Sequence, residues 1–225
     1  MTDDGRALFE RVCDEPDDDA ARLVYADWLD EHGDPDRAAF IRGQIGLATL
    51  PADHPDRLVH QRRVNGLMRT HVNRWTNDLP LVPGVAWSGL YFGGFVDAVA
   101  VDDVGVLEGH LTVIYAVAPV SRLTVRSLSD RDVSRLLSLP HLERLRTLRF
   151  PHTGVTNAGA EAIAGCDRLA RLTALDIEGT RIGDRGRRAI LESPALTGLR
   201  RLVVGGQAQK LVDRRLAARL KGGTA

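Results

Sequence analysis

The sequence predicts an α/β protein in which an N-terminal helical region, residues 1–80, caps a short repeating solenoid over 81–225, with a parallel β arc inside and helices outside. Three observations carry that prediction. Leu145, Leu148 and Phe150 recur as Leu172, Leu175 and Ile177, and again as Leu199, Leu202 and Val204, at a constant interval of 27 residues. Three copies in register mark a repeat architecture. Two copies run on into matching turns, Val155-Thr156-Asn157-Ala158-Gly159 and Ile182-Gly183-Asp184-Arg185-Gly186, ahead of helix-patterned stretches. The first third of the chain has instead the spacing and capping residues of consecutive helices.

Residues 6–13 set Leu8, Phe9 and Val12 on one helical face, and Glu15-Pro16-Asp17 breaks it. In the next helix Ala21, Val24, Tyr25 and Trp28 follow the i, i+3, i+4, i+7 spacing, with Leu29 widening the stripe. Asp17 to Asp19 supply acceptors and negative charge at its start. Gly33 is a left-handed C-cap, and Asp34-Pro35 starts a third helix with an N-cap and a proline that needs no N–H. Ala38, Ile41 and Ile45 line that helix. A fourth, from about Asp56 to Asn77, carries Leu58, Leu67, Met68, Val72 and Trp75. Asp27 lies about 100° from Trp28 around its helix, and is expected to pair with Arg22 or Arg42. Tyr25 and Trp28 read as packing anchors, with a docking surface as the sharper alternative.

The run from Asp17 to Pro35 (DDDAARLVYADWLDEHGDP), followed by Phe40-Ile41-Arg42 and Gln44, resembles the repeat-companion domain of bacterial proteins. The likeness covers roughly residues 5–47. That family is commonly followed by leucine-rich repeats, and it has no established reaction and no assigned catalytic residues. The resemblance implies an architecture and no activity.

In the second region Phe95 to Val101 alternates as a strand does, and Val120, Leu123, Val125 and Leu128 form an early ladder copy. Each later copy reads L-x-x-L-x-[aliphatic or aromatic]-x-x-[Thr or Gln], which resembles leucine-rich repeats of the ribonuclease-inhibitor kind. Residues 130–138, 157–165 and 184–192 are the expected outer helices, with Val133, Leu136, Leu137, Ala162, Ile163, Ala189 and Ile190 turned inward. Thr153 and Thr180 take the corner that asparagine often holds, and offer fewer hydrogen bonds than an amide. Lys210 to Leu220 is amphipathic and is expected to be a C-terminal capping helix, since an open final unit exposes apolar surface and a strand edge.

Side chains between ladder leucines point to the opposite side of the strand. They are Arg122, Thr124 and Arg126, then Thr147, Arg149 and Pro151, then Ala174, Asp176 and Glu178, then Arg201, Val203 and Gly205. The face is basic in one half and acidic further along. Arg122, Arg126, Arg149, Asp176, Glu178 and Arg201 are therefore the candidate partner-binding residues. An unidentified protein is the expected partner of a monomeric, non-enzymatic module, and nucleic acid tracked by the arginines is the alternative.

Composition narrows the classes further. Thirty basic and thirty acidic side chains cancel, so no bulk field favours nucleic acid or anionic lipid. Lys210 and Lys221 alone are lysines, which with abundant Ala, Asp and Gly suggests a GC-rich bacterial source. No stretch reaches the roughly 18 apolar residues of a bilayer span. Asp3, Asp4, Arg6 and Glu10 stand where a leader would be basic and then apolar, so no membrane and a cytoplasmic location are expected. Cys13 and Cys166 read as inert, partly buried thiols. The seven histidines show no zinc spacing, and phosphate loops and a G-x-S-x-G elbow are absent. No catalytic residue, cofactor or metal site is expected.

Overall fold

A computed structural model describes residues 2–204 in full and the backbone of 207–210. The elements in chain order are α1 (Asp3–Asp14), α2 (Asp19–Glu31), α3 (Pro35–Thr49), α4 (Arg57–Asn77), β1 (Val85–Trp87), β2 (Tyr91–Phe92), β3 (Phe95–Val96), β4 (Ala98–Val101) and α5 (Val104–Val117). They continue with β5 (Arg122–Val125), α6 (Asp130–Ser138), β6 (Thr147–Arg149), α7 (Asn157–Ala164), β7 (Ala174–Asp176), α8 (Asp184–Glu192), β8 (Arg201–Val204) and β9 (Gln207–Lys210). The protein is thus α/β, with eight α-helices among the described residues and a mixed sheet in the order β1-β4-β5-β6-β7-β8-β9. Two compact units are distinguished among the described residues: 2–82, 87–98 and 111–120 form one, and 83–86, 99–110 and those from 121 onward the other.

The helical unit begins where Thr2 caps α1, its hydroxyl accepting from Gly5 N. Asp18 caps α2 through Ala20 N, and Asp34 caps α3 through Arg37 N with Pro35 in the first turn. Gly33 takes φ 91°, the left-handed geometry expected of it. One core gathers Val12, Ala21, Tyr25, Ala26, Leu29, Ala38, Ile41, Ile45 and Phe95; a second gathers Phe40, Leu47, Val64 and Trp75. Gly93 and Gly94, at φ 55° and 92°, turn the β2–β3 hairpin. Two consecutive positive φ values are what a two-residue hairpin turn requires.

Two expectations about this unit's core are corrected. Val24 is 51% exposed, and Arg22, just beyond Leu29 at the other edge of the stripe, is buried. Arg22 is accommodated because its guanidinium donates to the Pro16 carbonyl and, at 3.0 Å, to Asp19. Leu58 is exposed, and α4 seats itself instead through Val64 and Trp75.

In the repeat unit β5, β6, β7 and β8 pair in parallel, with Leu123 opposite Leu148, Leu148 opposite Leu175 and Leu175 opposite Leu202. That rung is almost completely buried, as are Leu145, Leu172 and Leu199 on one side of it and Val125, Phe150 and Ile177 on the other; Val120 is buried too. Each such side chain contributes about 1.5–3 kcal/mol through its removal from water, so sequence periodicity becomes pairing register. Helices α6 and α8 match the predicted spans, and α7 ends one residue early. Their inward faces differ in detail. Val133, Leu136, Ile163 and Ile190 are buried, while Leu137, Ala162 and Ala189 are only half-buried.

The predicted strand over 95–101 is two strands, β3 and β4, parted at the buried Asp97. Helix α5 and strand β9 were not foreseen. Strand β9 runs antiparallel to β8 and includes Lys210, the first residue of the expected capping helix. The rest of that helix lies outside the described residues, as does Gly205.

Candidate functional site

The candidate residues lie on β5 to β8 and the corners that follow them. Pairing arranges them in rows across the sheet: Arg122, Thr147, Ala174 and Arg201 in one, Thr124, Arg149, Asp176 and Val203 in the next. Arg126 and Glu178 follow beyond the ends of their strands. The three arginines of the basic half therefore fall in different rows and form no single line along the sheet.

Two of them meet carboxylates. Arg149 Nε donates to Asp176 Oδ2 at 3.0 Å, and Arg126 Nη1 to Asp102 Oδ1 at 2.7 Å. Asp176 is nearly buried, and its Oδ1 also accepts from Glu178 N at 3.1 Å. The basic and acidic parts of the face are thus joined at Arg149 and Asp176. Arg201 is exposed and Arg122 half-buried. Asp102, 24 residues before Arg126, is the partner sequence reasoning missed; its only signal was its place just after the β-patterned run.

The corner threonines act as expected. Thr153 Oγ1 donates to Phe150 O at 2.9 Å and Thr180 Oγ1 to Ile177 O at 2.8 Å, one bond each to the turning backbone.

A second polar array ties consecutive repeats. Asp130, in the first turn of α6, accepts from Thr156 N and Gly159 N at 2.9 Å each and from Thr156 Oγ1 at 2.6 Å. Asn157 repeats this at the start of α7, accepting from Gly183 N at 2.9 Å and Gly186 N at 3.0 Å. Each residue holds the N-terminal N–H groups of the following helix, which have no partner within their own helix. A Cβ on Gly159 would stand 2.6 Å from Asp130 Oδ1, and one on Gly186 would stand 2.7 Å from Asn157 Oδ1. Glycine is required at both positions by this close approach. Burial alone would raise the Asp130 carboxyl, but the three donated bonds outweigh it and its pKa lies below the ordinary value. Within α6, Ser129 and Asp132 form a capping box, and the Ser129 hydroxyl holds Asp132 low.

In the helical unit Arg42 donates to Asp27 at 2.7 Å and to Asp30 at 3.0 Å, so the pairing proposed for Asp27 is made by Arg42. Trp28 stacks on Tyr25 and on His32, with ring centroids 5.9 and 4.3 Å apart. It is partly buried, as a packing anchor would be.

Comparison with protein-family models, curated proteins and solved structures finds no match to this chain. Among the described residues no group of three His, Cys, Asp or Glu side chains is placed to hold a metal ion, and no helix is long and apolar enough to cross a membrane.

Proposed function

We propose that the chain is a non-enzymatic protein-interaction module: a leucine-rich-repeat body, preceded in sequence by a repeat-companion helical region, that receives a protein partner on the concave, polar face of its sheet. The observation that carries the reading is the parallel ladder itself. Register intervals of 25, 27 and 27 residues between the paired leucines hold successive rows of polar side chains at fixed spacing. A rigid row of this kind is pre-organised, which lowers the ordering cost of binding. The Arg149–Asp176 and Arg126–Asp102 pairs supply a charge pattern that a partner reads by complementarity.

Nucleic acid ranks below a protein partner. Phosphate tracking calls for unneutralised cations, whereas Arg126 and Arg149 each face a carboxylate. Its signature would be affinity falling steeply with salt.

The test compares three chains as bait in a lysate of the native host: wild type, Arg122→Glu with Arg201→Glu, and the exchange Arg149→Asp with Asp176→Arg. The exchange keeps an ion pair while inverting its field. A protein recovered by wild type and lost by both variants, with circular dichroism unchanged, supports the reading. Equal recovery by all three overturns it.

A further inference from the structure

The helical unit contains a cavity of about 480 Å³, lined in part by Tyr25, Arg37, Trp75, Tyr91, Phe95 and Ala118. Its size lies within the roughly 300–1,000 Å³ of small-molecule sites, which pair an apolar lining with a few placed polar groups.

Arg37 is the placed group. Its guanidinium carbon lies 4.6 Å from the Trp75 ring centroid, 5.3 Å from Phe95 and 5.4 Å from Tyr91, so three rings cover the charge. Aromatic faces stabilise a cation but accept no conventional hydrogen bond. Arg37 Nη1 is buried and finds no acceptor among the described residues, and the same is true of Trp75 Nε1. Two buried donors without an acceptor, on two residues that line one cavity, are unusual, because leaving such a group unsatisfied is costly. The Tyr91 side chain bonds to the Arg37 guanidinium, which leaves Nη1, with Trp75 Nε1, short of an acceptor.

The remaining charges around the cavity do not supply it. Asp34 is committed to Arg74, whose Nη2 donates to it at 2.7 Å, and to the Arg37 backbone N–H. Arg6, Glu10 and Asp78 are exposed on the lining. Burial keeps the Tyr25 phenol neutral by raising its pKa, and Arg37 lowers it in part. The interior is therefore aromatic, with one cation and no uncommitted buried anion among its lining residues.

We propose that this cavity binds an apolar monocarboxylate, whose carboxylate takes the Arg37 guanidinium and whose hydrocarbon or aromatic body lies among Tyr25, Trp75, Tyr91 and Phe95. A planar guanidinium suits this ligand because its fork of donors matches the two carboxylate oxygens. The same chemistry is carried by a free aromatic acid and by the C-terminal residue of a peptide ending in an apolar side chain.

The experiment is calorimetric titration of the full chain with 3-phenylpropionate and with its neutral amide. An N-acetylated tripeptide ending in phenylalanine, with a free or an amidated C-terminus, distinguishes the two sources. The acid, or the free-carboxyl peptide, is expected to bind at least tenfold more tightly than its amide. Arg37→Met is expected to abolish that preference, and Arg37→Lys, which keeps the charge without the fork, to reduce it. Equal binding of acid and amide, or no binding by either acid up to about 10 mM, overturns the proposal and leaves the orphaned donors to water. The wild-type comparison stands even where Arg37→Met fails to fold, and circular dichroism identifies that case.

Discussion

In the repeat unit Asp130 and Asn157, 27 residues apart, each hold the start of the following helix, whereas in the helical unit Arg22 and Arg37 sit in surroundings that occur once. The consequences show in the buried donors. Arg22 Nε, Trp28 Nε1, Arg37 Nη1 and Trp75 Nε1 of the helical unit lack an acceptor among the described residues, against Arg187 Nε alone in the repeat unit. A periodic fold solves a hydrogen-bonding problem once and copies the solution. An irregular one must solve each separately.

The largest expected effects test packing, where the two units should be alike. Phe40 is fully buried with Trp75 at 4.8 Å between centroids, and Leu148 is fully buried at the centre of the ladder. Phe40→Ala should cost about 4 kcal/mol and Leu148→Ala about 3 kcal/mol, read from urea midpoints. A Leu148→Ala loss below about 1 kcal/mol would show that the ladder is not the core of its unit.

The next effect separates the units. Asp130→Ala should cost about 2 kcal/mol, because two N–H groups and a hydroxyl lose their acceptor at once, and Asn157→Ala about 1 kcal/mol. The Asp130 contribution also depends on pH. Its pKa is lowered in the folded state, so this stabilisation is full above the unfolded value of about 3.9 and is lost as pH falls through the folded one. Asp130→Asn should therefore flatten the acid limb of the stability profile. An unchanged limb would mean that the carboxylate is not held as described.

Smaller again is Arg149→Ala, expected to cost about 1 kcal/mol or less, since the arginine is half-exposed while Asp176 is not. A double-mutant cycle with Asp176→Ala measures the pair itself, and zero coupling would remove it from the face. Smallest is Arg42→Ala. Its pairs with Asp27 and Asp30 are solvent-exposed and screened, so a loss of about 0.5 kcal/mol that fades in high salt is expected.

How far the sequence could be read divides along the same line. The ladder and the helices at 130–138, 157–164 and 184–192 were legible because a period of 27 residues repeats the evidence for each element. The Asp130, Asn157 and Asp184 series, with Gly159 and Gly186, was equally periodic and could have revealed the inter-repeat bonds. Helix α5 has no such copy to confirm it. The burial of Arg22 in place of Val24 depends on the Pro16 carbonyl, and a hydrophobic stripe carries no information about acceptors. On the candidate face the pairing of Arg126 was not legible, because Asp102 reaches it only through the sheet. The cage around Arg37 draws on residues from 37 to 95, a span over which spacing predicts nothing.

The bonds from Asp130 and Asn157 run one way along the chain. Each repeat completes the helix of its successor and receives nothing equivalent in return through these residues. The bonding in this unit is consequently directional: each repeat supplies the acceptor for the helix start of the one that follows. Deleting a later repeat leaves an earlier acceptor without its donors. Deleting an earlier one leaves the first N–H groups of the next helix without that acceptor.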